Sequence, residues 1–269
     1  MPRLNPTPED SELDFGRAQL KNCEYPGRVL IMGLSALGDA AVQGYALTGR
    51  SPSSRNRVFV PTDNYGRDIK VAAPNMSEQE MSEVENAELI YYTAMSDRDG
   101  IYVASNGAQT APVLERIDDG CGLARAVRLT PTISGVDLSK YEPDAPNFTP
   151  RITGAINIKP SLRDGAAIDF GISIVRKSKV SEVAKHSTYT ADLRDFIPGA
   201  GYGIQTYAEN GDPLPSFEQA PYAFRLGETA AETASSIWQV LNRDTRVAVV
   251  VRHIELKYEG LEYSTVHEA

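Results

Sequence analysis

Two apolar runs stand close together near the start of the chain. Arg28 to Met32 is almost wholly apolar, Gly33 to Asp39 is rich in turn formers, and Ala40 to Thr48 is apolar again. Strands that close in sequence pair as a hairpin, because a parallel pair needs a crossover of a dozen residues or more. The same pattern recurs at Leu89 to Ala94 and Ile101 to Ser105, around Asp97-Arg98-Asp99-Gly100, a strong hairpin signal. Further strand-like runs are Arg151 to Ile158, Ala167 to Val175, Gly203 to Tyr207, Arg246 to Ile254 and Leu261 to Val266.

Helices fall between the hairpins rather than after every strand. Ser77 and Glu80 form a capping box for a short acidic helix ending near Ala87. Another is expected from about Ala111 to a stop near Gly120. The clearest runs from Thr229 to Leu241, with Ala234, Ile237, Trp238 and Leu241 on one face. The pattern predicts an α+β fold with mainly antiparallel sheets. Residues 1–24 read as a polar, proline-dotted arm, disordered or an oligomer contact, and residues 25–269 as a single domain.

Composition excludes several functions. The formal net charge of −9 disfavours a nucleic-acid partner, since phosphate backbones are bound through an excess of Lys and Arg. Cys23 and Cys121 lie far apart, and His186, His253 and His267 are isolated, so neither a disulfide framework nor a metal site is expected. The longest apolar runs, such as Val247 to Val251, fall far short of a membrane span, and the N-terminus has no apolar signal stretch. The expectation is a cytoplasmic protein with no membrane partner, its oligomeric state left open.

Three segments carry residues suited to chemistry. In Gly49 to Arg57, Arg50, Arg55 and Arg57 accompany Ser51, Ser53 and Ser54, a donor set for phosphate whose blander reading is a solvated basic loop. Ala104 to Thr110 places Asn106, Gly107 and Gln109 between a strand and a helix start, where amide groups can face an oxyanion or simply make a turn. Tyr141 to Arg151 crowds Glu142, Asp144, Asn147, Thr149 and Arg151 into a proline-stiffened loop. Gly33 to Gly38 lacks the G-x-G core and the Lys-Ser/Thr ending of a phosphate loop.

In their order and rough spacing these segments resemble the archaeal-type IMP cyclohydrolase family. The resemblance runs from Tyr25-Pro26-Gly27-Arg28 through Arg50-Ser51, Arg55, Tyr92 and Ala104 to Gly107. It continues through Tyr141-Glu142, Asp144 and Thr149-Pro150-Arg151. It implies a four-layer αββα sandwich similar to N-terminal-nucleophile hydrolases. It also implies dehydrative closure of formamidoimidazole carboxamide ribotide (FAICAR) to IMP, with a purine ribonucleotide as the small-molecule partner and no cofactor or metal. Carried onto this chain, it makes Glu142 the base or orienter and Tyr92 a proton donor or the support of Glu142. Arg151 and Asn106 would polarise the formyl oxygen. Arg50, Ser51 and Arg55 would hold the phosphate, with Gly107, Asp144 and Thr149 shaping the site. Departures are the long arm, extra sequence at 61–85 and 208–226, and Thr93 after Tyr92 where the family pattern has an asparagine. Two alternatives stand beside this reading: an amidohydrolase with Cys23 as a processed nucleophile, and a non-catalytic purine-nucleotide-binding protein.

Overall fold

The structure is a computed structural model that describes residues 2–62, 67–83, 87–133, 135–159, 167–256 and 261–267. Its strands are β1 (Arg28–Leu34), β2 (Ala40–Thr48), β3 (Val58–Pro61), β4 (Ile69–Ala72), β5 (Thr93–Arg98), β6 (Ile101–Ser105), β7 (Thr132–Ile133) and β8 (Val136–Asp137). They continue as β9 (Arg151–Asn157), β10 (Asp169–Lys177), β11 (Ala184–Asp192), β12 (Ala200–Gln205), β13 (Tyr222–Arg225), β14 (Arg246–Glu255) and β15 (Leu261–His267). The helices are α1 (Asp10–Asn22), α2 (Pro52–Arg55), α3 (Glu78–Ser82), α4 (Ala87–Ile90), α5 (Thr110–Asp118), α6 (Leu123–Ala126) and α7 (Ala230–Val240).

Six strands form one sheet in the order β13-β12-β1-β2-β14-β15, and seven form a second in the order β11-β10-β9-β6-β5-β4-β3. Within both sheets neighbouring strands run antiparallel, as the hairpin spacing predicts. The β1–β2 turn closes on Ser35, whose Oγ accepts from the Asp39 and Ala40 amides, so Gly33 to Gly38 is a hairpin turn. In the β5–β6 turn Asp99 and Gly100 both take positive φ, 47° and 79°, which matches strand twist.

Alternation along β2 shows how the layers stack. Gln43 reaches across to the Tyr102 carbonyl of the other sheet, while a Cβ on Gly44 would meet Ile237 of α7 at 3.0 Å on the opposite face. Gly154 of β9 admits the Met32 and Leu30 side chains of β1, and its neighbour's face meets α6, where Leu123 lies over Gly171. The two sheets therefore pack face to face and carry helices on their outer surfaces. The main core lies between the sheets and beneath α7. A smaller cluster, including Ile101, Val103, Val113, Leu114 and Ile117, lies under α5.

Four elements differ from the sequence expectation. Part of the N-terminal arm is the helix α1, which buries Leu13 and Leu20 and brings Gly16 against the backbone of Ala223. Ala87 to Ile90 is helical and β5 begins only at Thr93, because a short apolar run fits either period. Strand β12 starts at Ala200 and includes Gly201 and Gly203, which leave room for Leu226 and the Tyr222 ring. Strand β11 carries no apolar run at all; it is a half-buried, largely polar edge strand paired along its whole length with β10. Among the described residues no helix is long and apolar enough to cross a membrane.

Candidate active site

The last residues of β6 and β12 and the first of β1, β5 and β9 meet at one end of the sandwich. Asn106 follows β6 and sews that strand to β9. Its Oδ1 accepts from the Ile152 amide at 2.8 Å, and its Nδ2 donates to the Pro150 carbonyl at 2.8 Å. Gln109 then donates to the same Oδ1 at 3.1 Å and offers its own Oε1 to Arg151 at 2.9 Å. Arg151, the first residue of β9, grips Glu142 through both terminal nitrogens, at 2.5 and 2.8 Å, and its Nε donates to the Lys140 carbonyl at 2.9 Å. Arg151 is 2% and Glu142 3% exposed, so this ion pair is desolvated. Burial pushes the Arg151 guanidinium down from its ordinary value, and the Glu142 charge opposes that shift.

Gly107 makes the close packing possible. A Cβ there would lie 2.9 Å from Oε1 of both Gln109 and Glu142 and 3.1 Å from Arg151. The loop that carries Glu142 is pinned on itself: the Glu142 amide donates to the Thr149 carbonyl at 2.9 Å, and Asp144 accepts from the Thr149 amide and hydroxyl at 2.7 and 2.5 Å. With the Thr149 proton on Asp144, the Tyr207 hydroxyl donates to Thr149 Oγ1 at 2.6 Å. Phe148 holds φ at +46°, an unusual backbone for an aromatic residue, with Tyr141 edge-on at 5.6 Å and Lys177 Nζ 3.5 Å from its ring centre.

Beyond Tyr207 lies a second cluster of two buried arginines and four tyrosines. Arg28 opens β1, and Arg57 donates to the carbonyls of Ser54 and Thr48 at 2.7 and 3.0 Å. Tyr25 and Tyr207 stack with centroids 5.8 Å apart, and Tyr45 and Tyr92 share a hydroxyl–hydroxyl bond of 2.8 Å. Burial works against the Arg28 charge, but the oxygens of Tyr92, Tyr207, Tyr45 and Tyr25 surround it and hold its pKa above the ordinary value. Arg57 is pushed down by burial and by the charge of Arg28. Burial pushes the Tyr207 phenol up to about 12 and that of Tyr45 well above its usual range. The cluster is a preorganised positive site lined with hydroxyl donors, beside a locked carboxylate.

A sequence model of the family described as IMP cyclohydrolase-like protein matches residues 25–258. The chain belongs to that family. It is also 29% identical, over 196 residues, to the IMP cyclohydrolase of Methanothrix thermoacetophila, an alignment covering 73% of this chain and 80% of that protein. Family and relative are both described by the activity that the resemblance implied, a cyclohydrolase; neither favours the amidohydrolase or the non-catalytic alternative.

For this member of the IMP cyclohydrolase-like family, the structure sorts the expected site residues. Glu142 and Arg151 pair beside Gly107, Gln109 links Arg151 to Asn106, and Asp144 and Thr149 brace the loop. Tyr92 bonds to Tyr45. The two hydroxyls share one hydrogen bond of 2.8 Å. Both ends of the Asn106 carboxamide are taken by the scaffold, which makes Asn106 a clamp on the strand ends. Arg50 lies 4.7 Å over the Tyr25 ring, tied to Asn210 and Gly211, whereas Arg55 turns to the Asp244 carbonyl and Ser51 caps α2. Arg57 and Gln109 lie in segments the sequence singles out for phosphate and for an oxyanion, whereas Tyr25 and Arg28 enter the site only through the resemblance and Tyr45 and Tyr207 not at all. One signal was present: Arg28 and Arg151 each open a strand that is buried along almost its whole length, where a charge must have a partner.

The Cys23 thiol is buried, donates to the Ala208 carbonyl at 3.3 Å and accepts from Gln205 at 3.2 Å. Burial pushes its pKa up, the wrong direction for a nucleophile. Among the described residues no group of three or more His, Cys, Asp or Glu could hold a metal.

Proposed function

We propose that this site closes the purine ring of FAICAR to give IMP, acting on a small-molecule ribonucleotide. The reaction forms one C–N bond between the carboxamide nitrogen and the formyl carbon. The formyl oxygen leaves as water with two protons, one from each of the two reacting nitrogens. The observation that carries the reading is the buried Glu142–Arg151 pair beside the arginine–tyrosine cluster. An amide is a poor nucleophile, so orientation supplies much of the acceleration. Both Glu142 oxygens accept from Arg151, and a carboxylate, which offers several acceptor sites, can also take a carboxamide N–H. In this proposal Glu142 orients the nucleophile and accepts its hydrogen bond.

Tyr92, 8% exposed beside Arg28, donates the proton that turns the formyl oxygen into a leaving hydroxyl, and a substrate nitrogen returns it. The positive charge of Arg28 and Arg57 offsets the negative charge on that oxygen. Arg50, at the edge of the same cluster, takes the phosphate with the Ser51 to Ser54 hydroxyls, while Arg55 braces the loop. The layering of helices outside two packed sheets supports the four-layer αββα reading and its likeness to N-terminal-nucleophile hydrolases.

The test is the ultraviolet absorbance of the protein incubated with FAICAR. The wild type is expected to form IMP, Glu142→Gln to lose at least about 100-fold in kcat, and Arg50→Ala to lose mainly in KM. A wild type that binds the ribotide without forming IMP would rule out cyclisation at this site.

A further inference from the structure

Tyr45 has no evident reason to be a tyrosine. It sits in the middle of β2, paired to Leu30 on one side and Val250 on the other, and is fully buried. A phenol in such a place must find a partner, and among the described residues its hydroxyl bonds to Tyr92 alone. Its ring is held edge-on by Phe59 at 6.0 Å. The position is rigid, and its one polar atom is aimed at the tyrosine that the proposed cyclisation uses as a proton donor.

We infer that Tyr45 is a positioning residue: from behind, its hydroxyl donates to the oxygen of Tyr92 and stabilises the phenolate left when Tyr92 gives up its proton. The inference rests on the functional reading above. Two phenols sharing one hydrogen bond hold two protons, and only one is needed for the bond between them. The other is free to leave from the side that substrate can reach. Tyr92 is 8% exposed and Tyr45 is 0%, so the departing proton is that of Tyr92. Once it has gone, the Tyr45 proton lies between the two oxygens as a charge-assisted bond.

The surroundings keep the roles from reversing. Arg28 from β1 and Arg57 from the segment before β3 face the pair, and the phenols of Tyr25 and Tyr207 lie beyond them around Arg28. Tyr92, on the accessible side of the pair, is the phenol that substrate can reach. Burial, and then the presence of Tyr92, raise the Tyr45 phenol well above its ordinary value and keep it protonated. No proton is gained or lost over the cycle: Tyr92 donates to the departing oxygen, and the substrate nitrogen's proton restores it.

Tyr45→Phe removes the donor and keeps the ring. Activity and tyrosine ionisation are measured together, the latter by NMR of ring-labelled tyrosine, with Tyr92→Phe used for assignment. The expected results are a fall in kcat of about 10- to 100-fold, KM within about twofold, and an alkaline limb of kcat moved to higher pH. Tyr92 should also ionise at higher pH in the variant. Site-specific 3-fluorotyrosine at position 45, a stronger donor of the same shape, should move both transitions the other way, and it serves equally if Tyr45→Phe does not fold. An active wild type whose alkaline limb and Tyr92 titration are unmoved by either change overturns the inference. If the wild type forms no IMP but the Tyr92 titration shifts as expected, the functional reading fails and the support of Tyr92 by Tyr45 stands.

Discussion

Arg151 has almost no water to solvate its charge, and its hydrogen bonds among the described residues all go to groups that the fold holds still. Two go to Glu142, one to Gln109 and one to the Lys140 carbonyl. Removing one member of such a pair strands a buried charge, which costs more than the pair contributes. Arg151→Ala is therefore expected to lose about 3–5 kcal/mol of stability as well as activity, read from urea unfolding. A surface-type ion pair would lose less than about 1 kcal/mol, and that outcome would mean the pair is solvated. Glu142 and Arg151 could be picked from the sequence because both are chemically unusual in a proline-stiffened loop leading into an apolar strand. The partner of Gln109 could not be, because the amide that the sequence places before a helix start meets Arg151 across 42 residues of chain.

Helix α1 shows the limits of reading a segment by its own composition. Its residues are mostly polar, and an isolated helix of that length is marginal in water. Its capping box of Glu9 and Glu12 sets the start, but the stabilisation comes from Leu13 and Leu20 on the face turned to β13, where Gly16 allows close approach. Leu20→Ala is expected to cost about 2–5 kcal/mol, measured as a shift in the denaturation midpoint. A loosely attached arm would show no shift. The hairpins and α7 were legible because each is encoded locally, by turn residues, caps and a single period. Strand β11 was not, because its polar residues are ordered by pairing with β10 rather than by burial of a face.

For the whole molecule, the buried phenols set an alkaline limit. Burial raises Tyr45, Tyr202, Tyr207 and Tyr222, with Tyr202 and Tyr207 each at about 12. In the unfolded chain a tyrosine ionises near ~10. Their contribution is thus fully present below pH ~10 and is lost as pH rises toward 12, where the unfolded state holds fewer protons than the native one. The expected outcome is a fall in stability over that window, with tyrosinate absorbance rising in step with loss of circular dichroism. Noncooperative tyrosinate formation in a folded chain would show that these phenols are accessible. By itself the sequence determined the antiparallel hairpins, the α+β class and the loop that carries Glu142 and Arg151, since turns, caps and periodicity act over a few residues. Only the tertiary structure decided which side chains share the site. Packing two sheets face to face brings the ends of β1, β2, β5, β6, β9 and β12 together, and charges and phenols distant in sequence then share one poorly solvated space in which each becomes the others' environment.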